Sequence, residues 1–188
     1  MLALKWLMES SKLTNECQVR YILKSKDNIF HNMNAISGWL NAKFSKDDVR
    51  LYVGRLLRKD TPSRDPDDPL YVSPADYPKQ FFPDLIQAPV YLFSYDTLKQ
   101  MNKVMGRVTP IAMEDAYVGL LAERGGITPR HNDHFQMLTH IREGCHYLRM
   151  FFIYDVLPND HLVVDRNIDA ARHSKKCAVR QRYNHIEA

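Results

Sequence analysis

The chain has 188 residues, of which 45% are hydrophobic and 26% are charged, a composition typical of one ordered globular domain with a sizeable core. The net charge of +4 is modest, and the basic C-terminal tail comes without an aromatic platform or a binding motif, so we expect no nucleic-acid partner. Residues 1–13 are too short for a membrane span, and the lysine inside their apolar run argues against a signal peptide.

The first half of the chain alternates between helix and strand patterns. A helix is predicted around residues 4–8, and residues 19–25 are typical of a strand rich in β-branched and aromatic side chains. Another helix is predicted from about Asn32, and residues 51–57 form a further strand. The apolar face predicted for the helix that follows Asn32 consists of Met33, Ile36 and Leu40.

Residues 58–88 contain six prolines interleaved with aromatic residues. This density excludes a long helix and predicts an ordered excursion over one end of a sheet. The segment is either a long loop packed by its own aromatics or a binding surface, and the pattern alone does not separate the two.

The second half continues the alternation. Residues 89–95 are typical of a strand, after which Ser94 caps a helix that Gly106 ends. A further helix begins at Glu114, and residues 148–157 form the last apolar run, which favours a buried strand. Strands that alternate with helices predict an α/β layered domain.

Two segments carry carboxylates where chemistry is expected. In residues 24–32, directly after a strand, Asp27 beside Asn28 predicts at most a weak divalent-cation site, because Lys26 opposes it, and a plain polar turn is the favoured alternative. Glu114 and Asp115 open a helix whose macrodipole favours their ionised forms, so either can accept a proton. From spacing alone, ordinary N-terminal capping is the favoured alternative for this pair.

Histidines and cysteines leave further alternatives open. His131, Asp133 and His134 suggest a metal site, which with Cys145 would bind zinc, but a solvated loop is favoured because Pro129 lies just upstream. The chain has three widely spaced cysteines and no CxxC pair, which argues against a zinc module. One disulfide would suit a lumenal protein and three thiols would suit the cytosol; the sequence does not decide whether Cys17 pairs with Cys145 or Cys177.

A family resemblance is carried by blocks in a fixed order. They are Cys17, VRYILKSKDNIFHN (19–32), PSRD (62–65), YVSPADYP (71–78), FFP (81–83), PVYLFSYD (89–96) and EDAYVG (114–119). From about Leu2 to Phe135 the chain resembles the β1,3-galactosyltransferase and β1,3-N-acetylglucosaminyltransferase family of Golgi enzymes. The resemblance implies a partial GT-A fold, which is Rossmann-like, and a hexosyltransferase that inverts the configuration. The implied reaction transfers a sugar from a UDP-sugar, usually with Mn²⁺, to an acceptor hydroxyl in protein or lipid glycosylation.

The resemblance also assigns residues. Glu114 and Asp115 match the family's acidic pair, with Asp115 as the general base. Lys26, Asp27 and Asn28 occupy the family's run of aspartates, which binds metal and diphosphate, and only the middle acid is kept, so Asp27 and Asn28 are expected to be weak metal ligands. Direct contact of Lys26 with a phosphate, without a metal, is an alternative that ranks below loss of activity. The residues expected to bind donor or acceptor are Lys26, Arg64, Tyr71, Tyr77, Phe81 and Tyr91.

The same resemblance predicts an incomplete chain. Residues 1–135 correspond to the C-terminal part of the catalytic domain, and residues 136–188 form an unassigned extension. The cytoplasmic tail, membrane helix, stem and first nucleotide-binding strands of the family do not precede Met1, so we expect a fragment or a divergent product. Residence on the lumenal side of the Golgi membrane is implied, with membrane contact only through that missing anchor. The alternative is an inactive relative that binds glycans or proteins through residues 58–88.

Overall fold

A computed structural model describes residues 19–44, 50–136, 144–148 and 150–177. The chain divides into two compact units: residues 1–25 with 46–133, and residues 26–45 with 134–188. Residues 26–45 group with the C-terminal part of the chain, and the predicted division into residues 1–135 and 136–188 stays a prediction. The helix predicted around residues 4–8 lies outside the described residues.

The elements confirm most of the sequence prediction. The strands are β1 Tyr21–Lys24, β2 Ile29–His31, β3 Tyr52–Leu57, β4 Leu85–Ser94, β5 Arg130–His131 and β6 Phe152–Tyr154. The α-helices are α1 Met33–Lys43, α2 Tyr95–Met105, α3 Glu114–Arg124 and α4 His161–His173, and short 3₁₀ turns cover Asp133–Phe135, Gly144–Leu148 and Pro158–Asp160. In the described part of the chain, none of these helices has the length and apolar character that a membrane span needs.

The first unit is built on a mixed four-stranded sheet in the order β1-β4-β3-β5. The strand β4 pairs antiparallel with β1 and β3, and β5 pairs parallel with β3. Helices α2 and α3 pack against this sheet through one apolar cluster, whose largest members are Tyr52, Tyr91, Phe93 and Tyr117. The predicted α/β class is therefore confirmed.

The strand β4 begins earlier than predicted, at Leu85 instead of residue 89. Its pairing with β3 jumps from Gly54↔Tyr91 to Leu56↔Ile86, so residues 87–90 fall outside the regular ladder. Pro89 lies in this interruption, where its missing N–H costs no ladder hydrogen bond. The sequence pattern did not predict residues 85–88 as part of this strand, because a proline such as Pro89 is typical of a strand boundary.

The second unit pairs β2 with β6 antiparallel, with α1 and α4 as its helices. Its small apolar cluster consists of Tyr147, Ile153, Val156, Val164 and Ile168. In α1, Ile36 and Leu40 are buried as predicted, but Met33 is 57% exposed. The prediction for Met33 was wrong, because the first residue of the helix projects beyond the turns that pack.

The strand predicted at residues 148–157 is much shorter in the structure. Only Phe152–Tyr154 forms β6, although the flanking Phe151 and Val156 are also buried. Residues 144–148 form a 3₁₀ turn, and Asp155 adopts a left-handed backbone conformation with φ of 55°. A non-glycine residue in that region ends extended structure, so the apolar run does not continue as one strand.

A disulfide links Cys145 and Cys177, which are 32 residues apart. This bond answers the pairing question that the sequence left open: neither Cys145 nor Cys177 pairs with Cys17, which lies outside the described residues. It also means that Cys145 supplies no thiolate to a zinc ion, which was the disfavoured alternative. The bond joins the 3₁₀ turn at Gly144–Leu148 to the segment that follows α4. It therefore encloses β6 and α4 in one covalent loop.

We expect reduction of this disulfide to destabilise the second unit by about 4 kcal/mol, because the bond restricts the unfolded chain over a loop of 32 residues. Urea denaturation of Cys145→Ser would measure the loss, with Cys17→Ser as the matched control that leaves the bond intact. Peptide mapping that finds Cys17 bonded to Cys145 or Cys177 would contradict the pairing.

Gly119 in α3 packs tightly on β4. A Cβ atom added there would lie 2.7 Å from the Cβ of Leu85, closer than real side chains approach. We expect Gly119→Ala to destabilise the chain by about 1–2 kcal/mol in urea denaturation, because overpacking outweighs the gain in helix propensity. The control is Gly38→Ala in α1, where nothing lies within 4 Å and about 0.5–1 kcal/mol is gained. Equal stability of Gly119→Ala and wild type would refute the close packing.

Candidate active site

The N-terminal end of α3 is attached to β4 by the carboxylate of Asp115. Its Oδ2 accepts a hydrogen bond from the backbone N–H of Ala88 at 3.0 Å, and its Oδ1 accepts one from the N–H of Ala116 at 3.0 Å. Asp115 is only 6% exposed. Ala88 lies in the part of β4 that falls outside the regular pairing with β3. The carboxylate of Asp115 therefore supplies the hydrogen-bond acceptor for the backbone N–H of Ala88.

The preceding residue, Glu114, joins three elements. Its Oε1 accepts a hydrogen bond of 2.6 Å from the hydroxyl of Tyr91 on β4, and its Oε2 accepts one of 2.8 Å from Nζ of Lys24 on β1. The same Nζ lies 5.0 Å from the centroid of the Tyr91 ring, within cation–π range. Both hydrogen bonds are charge-assisted, which makes them shorter and stronger than neutral ones.

These contacts control protonation at Glu114. Partial burial works to raise the pKa of Glu114, but the hydrogen bonds from Lys24 and Tyr91 outweigh it and hold the pKa below its usual value. Burial, reinforced by the hydrogen bond to Glu114, raises the pKa of Tyr91, so that side chain stays a phenol that donates. The stability that these bonds give is present above the pKa of unfolded glutamate and is lost as the pH falls through the lower, folded pKa.

Capping explains part of this arrangement. The N-cap residue Met113 offers no side-chain acceptor, and Asp115 takes one N–H of the first helical turn. N-terminal capping therefore accounts for only one contact of the pair, the hydrogen bond that Oδ1 of Asp115 accepts from the N–H of Ala116. It does not describe Glu114, whose oxygens contact Lys24 and Tyr91 instead of helix N–H groups, and whose side chain is 49% exposed. The role of Asp115 as a general base stays a prediction.

The turn at Lys26–Asn28 belongs to the second unit, and its three side chains are exposed. The amide Nδ2 of Asn28 donates to Oδ1 of Asp155 at 3.1 Å, and the N–H of Val156 donates to the carbonyl of Asn28 at 3.1 Å. The sequence did not single out Asp155, which is 127 residues from Asn28 along the chain. A single acidic residue after an apolar run is too common a pattern to indicate this contact.

The donor groups of this turn do not fit the Mn²⁺ ion that the resemblance implies. The amide of Asn28 presents its nitrogen, not an oxygen, to Asp155, and Lys26 brings a positive charge next to Asp27. Divalent cations of this kind need ionised oxygen ligands in a shared geometry. Across the part of the chain that the structure describes, no three His, Cys, Asp or Glu side chains form a group that suits a metal ion. No step below is assigned to a metal.

Within residues 58–84, two side chains hydrogen-bond to main-chain carbonyls of the same segment. The guanidinium of Arg64 donates to the carbonyls of Val72, Tyr77 and Lys79 at 2.6, 2.6 and 3.0 Å. The hydroxyl of Tyr77 donates to the carbonyl of Phe81 at 2.7 Å. Arg64 and Tyr77 thus have structural partners, and their predicted contact with donor or acceptor stays a prediction.

Two other aromatic residues of the predicted set differ in exposure. Tyr71 is half-buried at a bridge with Ser63, and the side chain of Phe81 is 42% exposed. Tyr91 is fully buried, and its hydroxyl is engaged by Glu114. Of the predicted site residues in the first unit, the structure therefore brings Glu114, Asp115 and Tyr91 together, and it adds Lys24, which the sequence analysis did not single out.

The histidine segment is not arranged as a metal site. Nδ1 of His131 accepts a hydrogen bond from the N–H of Leu56 at 3.2 Å, which leaves the proton on Nε2, and Nε2 lies 3.0 Å from Oδ1 of Asp133. Both ring nitrogens of His131 therefore have protein partners. The predicted loop contains the short strand β5 and a 3₁₀ turn.

Comparison with known proteins supports the resemblance. A family model described as Galactosyltransferase matches residues 1–133. Beta-1,3-galactosyltransferase 9 of Homo sapiens is 32% identical over 133 residues, which are 70% of this chain and 36% of that protein. Beta-1,3-galactosyltransferase 1 of Mus musculus is 25% identical over 173 residues, covering 92% of this chain and 53% of the relative.

A third relative gives the same picture. Beta-1,3-galactosyltransferase 4 of Mus musculus is 27% identical over 157 residues, 69% of this chain and 42% of its own length. The chain thus spans about a third to a half of the length of these relatives. The mixed α/β architecture is consistent with a partial GT-A type glycosyltransferase domain. Because the family model covers well over half of the sequence, the chain belongs to the galactosyltransferase family.

Proposed function

We propose that this chain is part of an inverting β1,3-hexosyltransferase that moves a sugar from a UDP-sugar to an acceptor hydroxyl, in protein or lipid glycosylation. The observation that carries the proposal is the pair of carboxylates at the start of α3, fixed against β4 in a member of the galactosyltransferase family. The names of the relatives make galactose the first sugar to test.

In the proposed reaction Asp115 is the proton acceptor. The acceptor oxygen attacks the anomeric carbon, the bond from that carbon to the diphosphate oxygen breaks, and UDP leaves with the electron pair while the hydroxyl proton passes to Asp115. Each Asp115 oxygen accepts one hydrogen bond and retains a further lone-pair direction.

Location in the Golgi lumen is part of the proposal. The disulfide between Cys145 and Cys177 supports it, because disulfides persist in the oxidising compartments of the secretory route and are rare in the cytosol. This observation favours the lumenal alternative of the sequence analysis over the one with three thiols.

A second candidate is a non-catalytic relative that binds glycans or partner proteins through residues 58–88. It is favoured by the burial of Asp115, whose two oxygens already serve the main chain, and by the exposed ring of Phe81. Under this alternative the chain shows no turnover and no UDP binding, while glycans bind and Phe81→Ala weakens that binding.

Transfer from UDP-galactose to a panel of saccharide acceptors tests the enzyme. We expect turnover by the wild-type chain, and a fall in kcat of about 100-fold to 10,000-fold in Asp115→Asn, because general-base catalysis contributes that much. The control is Asp169→Asn, which changes an exposed acid on α4 that pairs with Arg172.

Circular dichroism would establish that Asp115→Asn remains folded, since this carboxylate also attaches α3 to β4. Wild-type turnover that survives Asp115→Asn unchanged would remove Asp115 from the mechanism. Absence of turnover and of UDP binding in the wild-type chain would favour the non-catalytic candidate.

A further inference from the structure

An open pocket of about 160 Å³ lies in the first unit, where β1 and α2 begin. One wall is the segment that leads into β1, and the other is the end of β4 with the start of α2. The N–H of Tyr95 donates to the carbonyl of Arg20 at 2.9 Å, which joins the two walls through the main chain. The lining residues that carry a charge or a phenol are Arg20, Tyr21, Tyr95, Asp96 and Lys99.

This pocket is distinct from the candidate active site. The strands β1 and β4 pair antiparallel from Tyr21↔Ser94 to Lys24↔Tyr91. The pocket lies at Tyr21 and Ser94, whereas the hydrogen bonds to Glu114 come from Lys24 and Tyr91, three residues further along each strand. That separation is about 10 Å along the strand. None of the site residues predicted from the sequence lines this pocket.

Arg20 brings a guanidinium without an acidic partner to the pocket. The guanidinium carbon lies 5.2 Å from the centroid of the Tyr21 ring, and Nη2 donates to the hydroxyl of Tyr21 at 3.4 Å. Among the described residues, no ion pair includes Arg20. A guanidinium has five N–H donors in a planar fork that matches the oxygens of an oxyanion. The contact with Tyr21 uses one of them, so Arg20 keeps donors for a ligand.

The charges of the pocket favour a ligand with one negative charge. Nζ of Lys99 pairs with Oδ1 of Asp96 and lies 5.0 Å from the centroid of the Tyr95 ring. An ammonium group has three donors, so Lys99 also keeps donors beyond this pair. Two cations and one carboxylate leave one net positive charge, which a single negative charge neutralises. The carboxylate of Asp96 disfavours a second negative charge nearby.

The size of the pocket limits what it holds. A volume of 160 Å³ equals that of about five water molecules in the liquid, well below the roughly 300–1,000 Å³ of sites for larger ligands. The pocket therefore suits one charged group with the few atoms next to it, and it is too small for a nucleotide. Tyr21 and Tyr95 add phenol side chains, which suit a ligand with hydroxyls beside its charge.

We propose that this pocket binds the carboxylate or the sulfate ester of an acidic saccharide, with Arg20 as the main contact and Lys99 as a second cation. The two groups share one chemistry, an oxyanion with a single negative charge, and separate ligands distinguish them. The choice of a saccharide as the carrier rests on the proposed function, since a hexosyltransferase acts on glycans. Binding at this pocket requires no transfer, so it is measured without turnover.

The first test is a titration of the full chain, followed through the Nε–H resonances of its arginines in ¹⁵N–¹H NMR spectra. The ligands are methyl β-D-glucuronide, methyl β-D-galactoside 6-sulfate and the neutral methyl glycosides that match them. We expect the Arg20 resonance to move saturably with at least one acidic ligand and to stay fixed with both neutral ones. An Arg20 resonance that ignores both acidic ligands, or responds equally to the neutral ones, overturns the inference.

A charge-matched pair of variants separates the pocket from general attraction of anions. Arg20→Gln should weaken binding of the acidic ligand about tenfold to a hundredfold, the usual effect of losing hydrogen bonds to a charged group. Its backbone carbonyl still accepts from Tyr95, so the variant keeps that contact. The control is Arg107→Gln, an exposed arginine beyond the C-terminal end of α2, with the same change in net charge. Equal affinity losses in the two variants contradict the assignment.

The acid of the pocket gives a test with the opposite sign. Asp96→Asn should raise the affinity for the acidic ligand about fivefold, since it removes one like charge at about 4 Å in water. Asp169→Asn, on α4 in the second unit, changes the net charge equally and should leave the affinity unchanged. If Asp96→Asn binds the ligand no more tightly than wild type does, the charge of the pocket does not select the ligand and the inference fails.

These measurements distinguish the inference from the proposed function. If the chain transfers galactose but binds neither acidic glycoside, the inference is overturned and the transferase function stands. If an acidic glycoside binds through Arg20 in a chain without turnover, the pocket is supported and the transferase function is not.

Discussion

Two neighbouring carboxylates attach the N-terminal end of α3 to the sheet of the first unit. Asp115 takes the backbone N–H of Ala88, which the sheet leaves outside its ladder, and Glu114 takes donors from β1 and β4. Because the two acids are adjacent in sequence, one helical turn fixes three segments. The proposed transferase function depends on that attachment, since it sets where each carboxylate lies and which of its lone pairs are left for a substrate.

The same interactions divide the two acids between different tasks. Asp115 is buried and bonded to the main chain, so its removal affects structure as well as any chemistry. Glu114 is about half-exposed, and its two oxygens accept hydrogen bonds only from the side chains of Lys24 and Tyr91. Lys24 has two contacts here: its ammonium group pairs with the carboxylate of Glu114 and lies over the buried ring of Tyr91. Holding an ionised, partly buried acceptor at this place costs desolvation energy, which the hydrogen bonds from Lys24 and Tyr91 offset.

Local patterns predicted much of the fold and only part of the site. Spacing and capping residues located β1, α1, α2 and α3, and Ser94 does cap α2 by accepting the N–H of Thr97. The start of β4 at Leu85 was not predicted, because Pro89 is typical of a strand boundary. The contact of Glu114 with Lys24 was not predicted, because the two residues are 90 positions apart in the sequence. The Asn28–Asp155 and Cys145–Cys177 pairs likewise depend on tertiary packing. Residue types therefore identified the carboxylates, but not what holds them.

The most direct measurement is the ¹³C resonance of the Glu114 carboxyl carbon in the wild-type chain while a galactoside is added at neutral pH. If the N-terminal end of α3 is a carbohydrate site, this resonance moves saturably with sugar concentration, and exposed carboxyls elsewhere, such as that of Asp169 on α4, do not move. A Glu114 resonance that stays fixed up to saturating sugar, in a folded chain, would contradict the account.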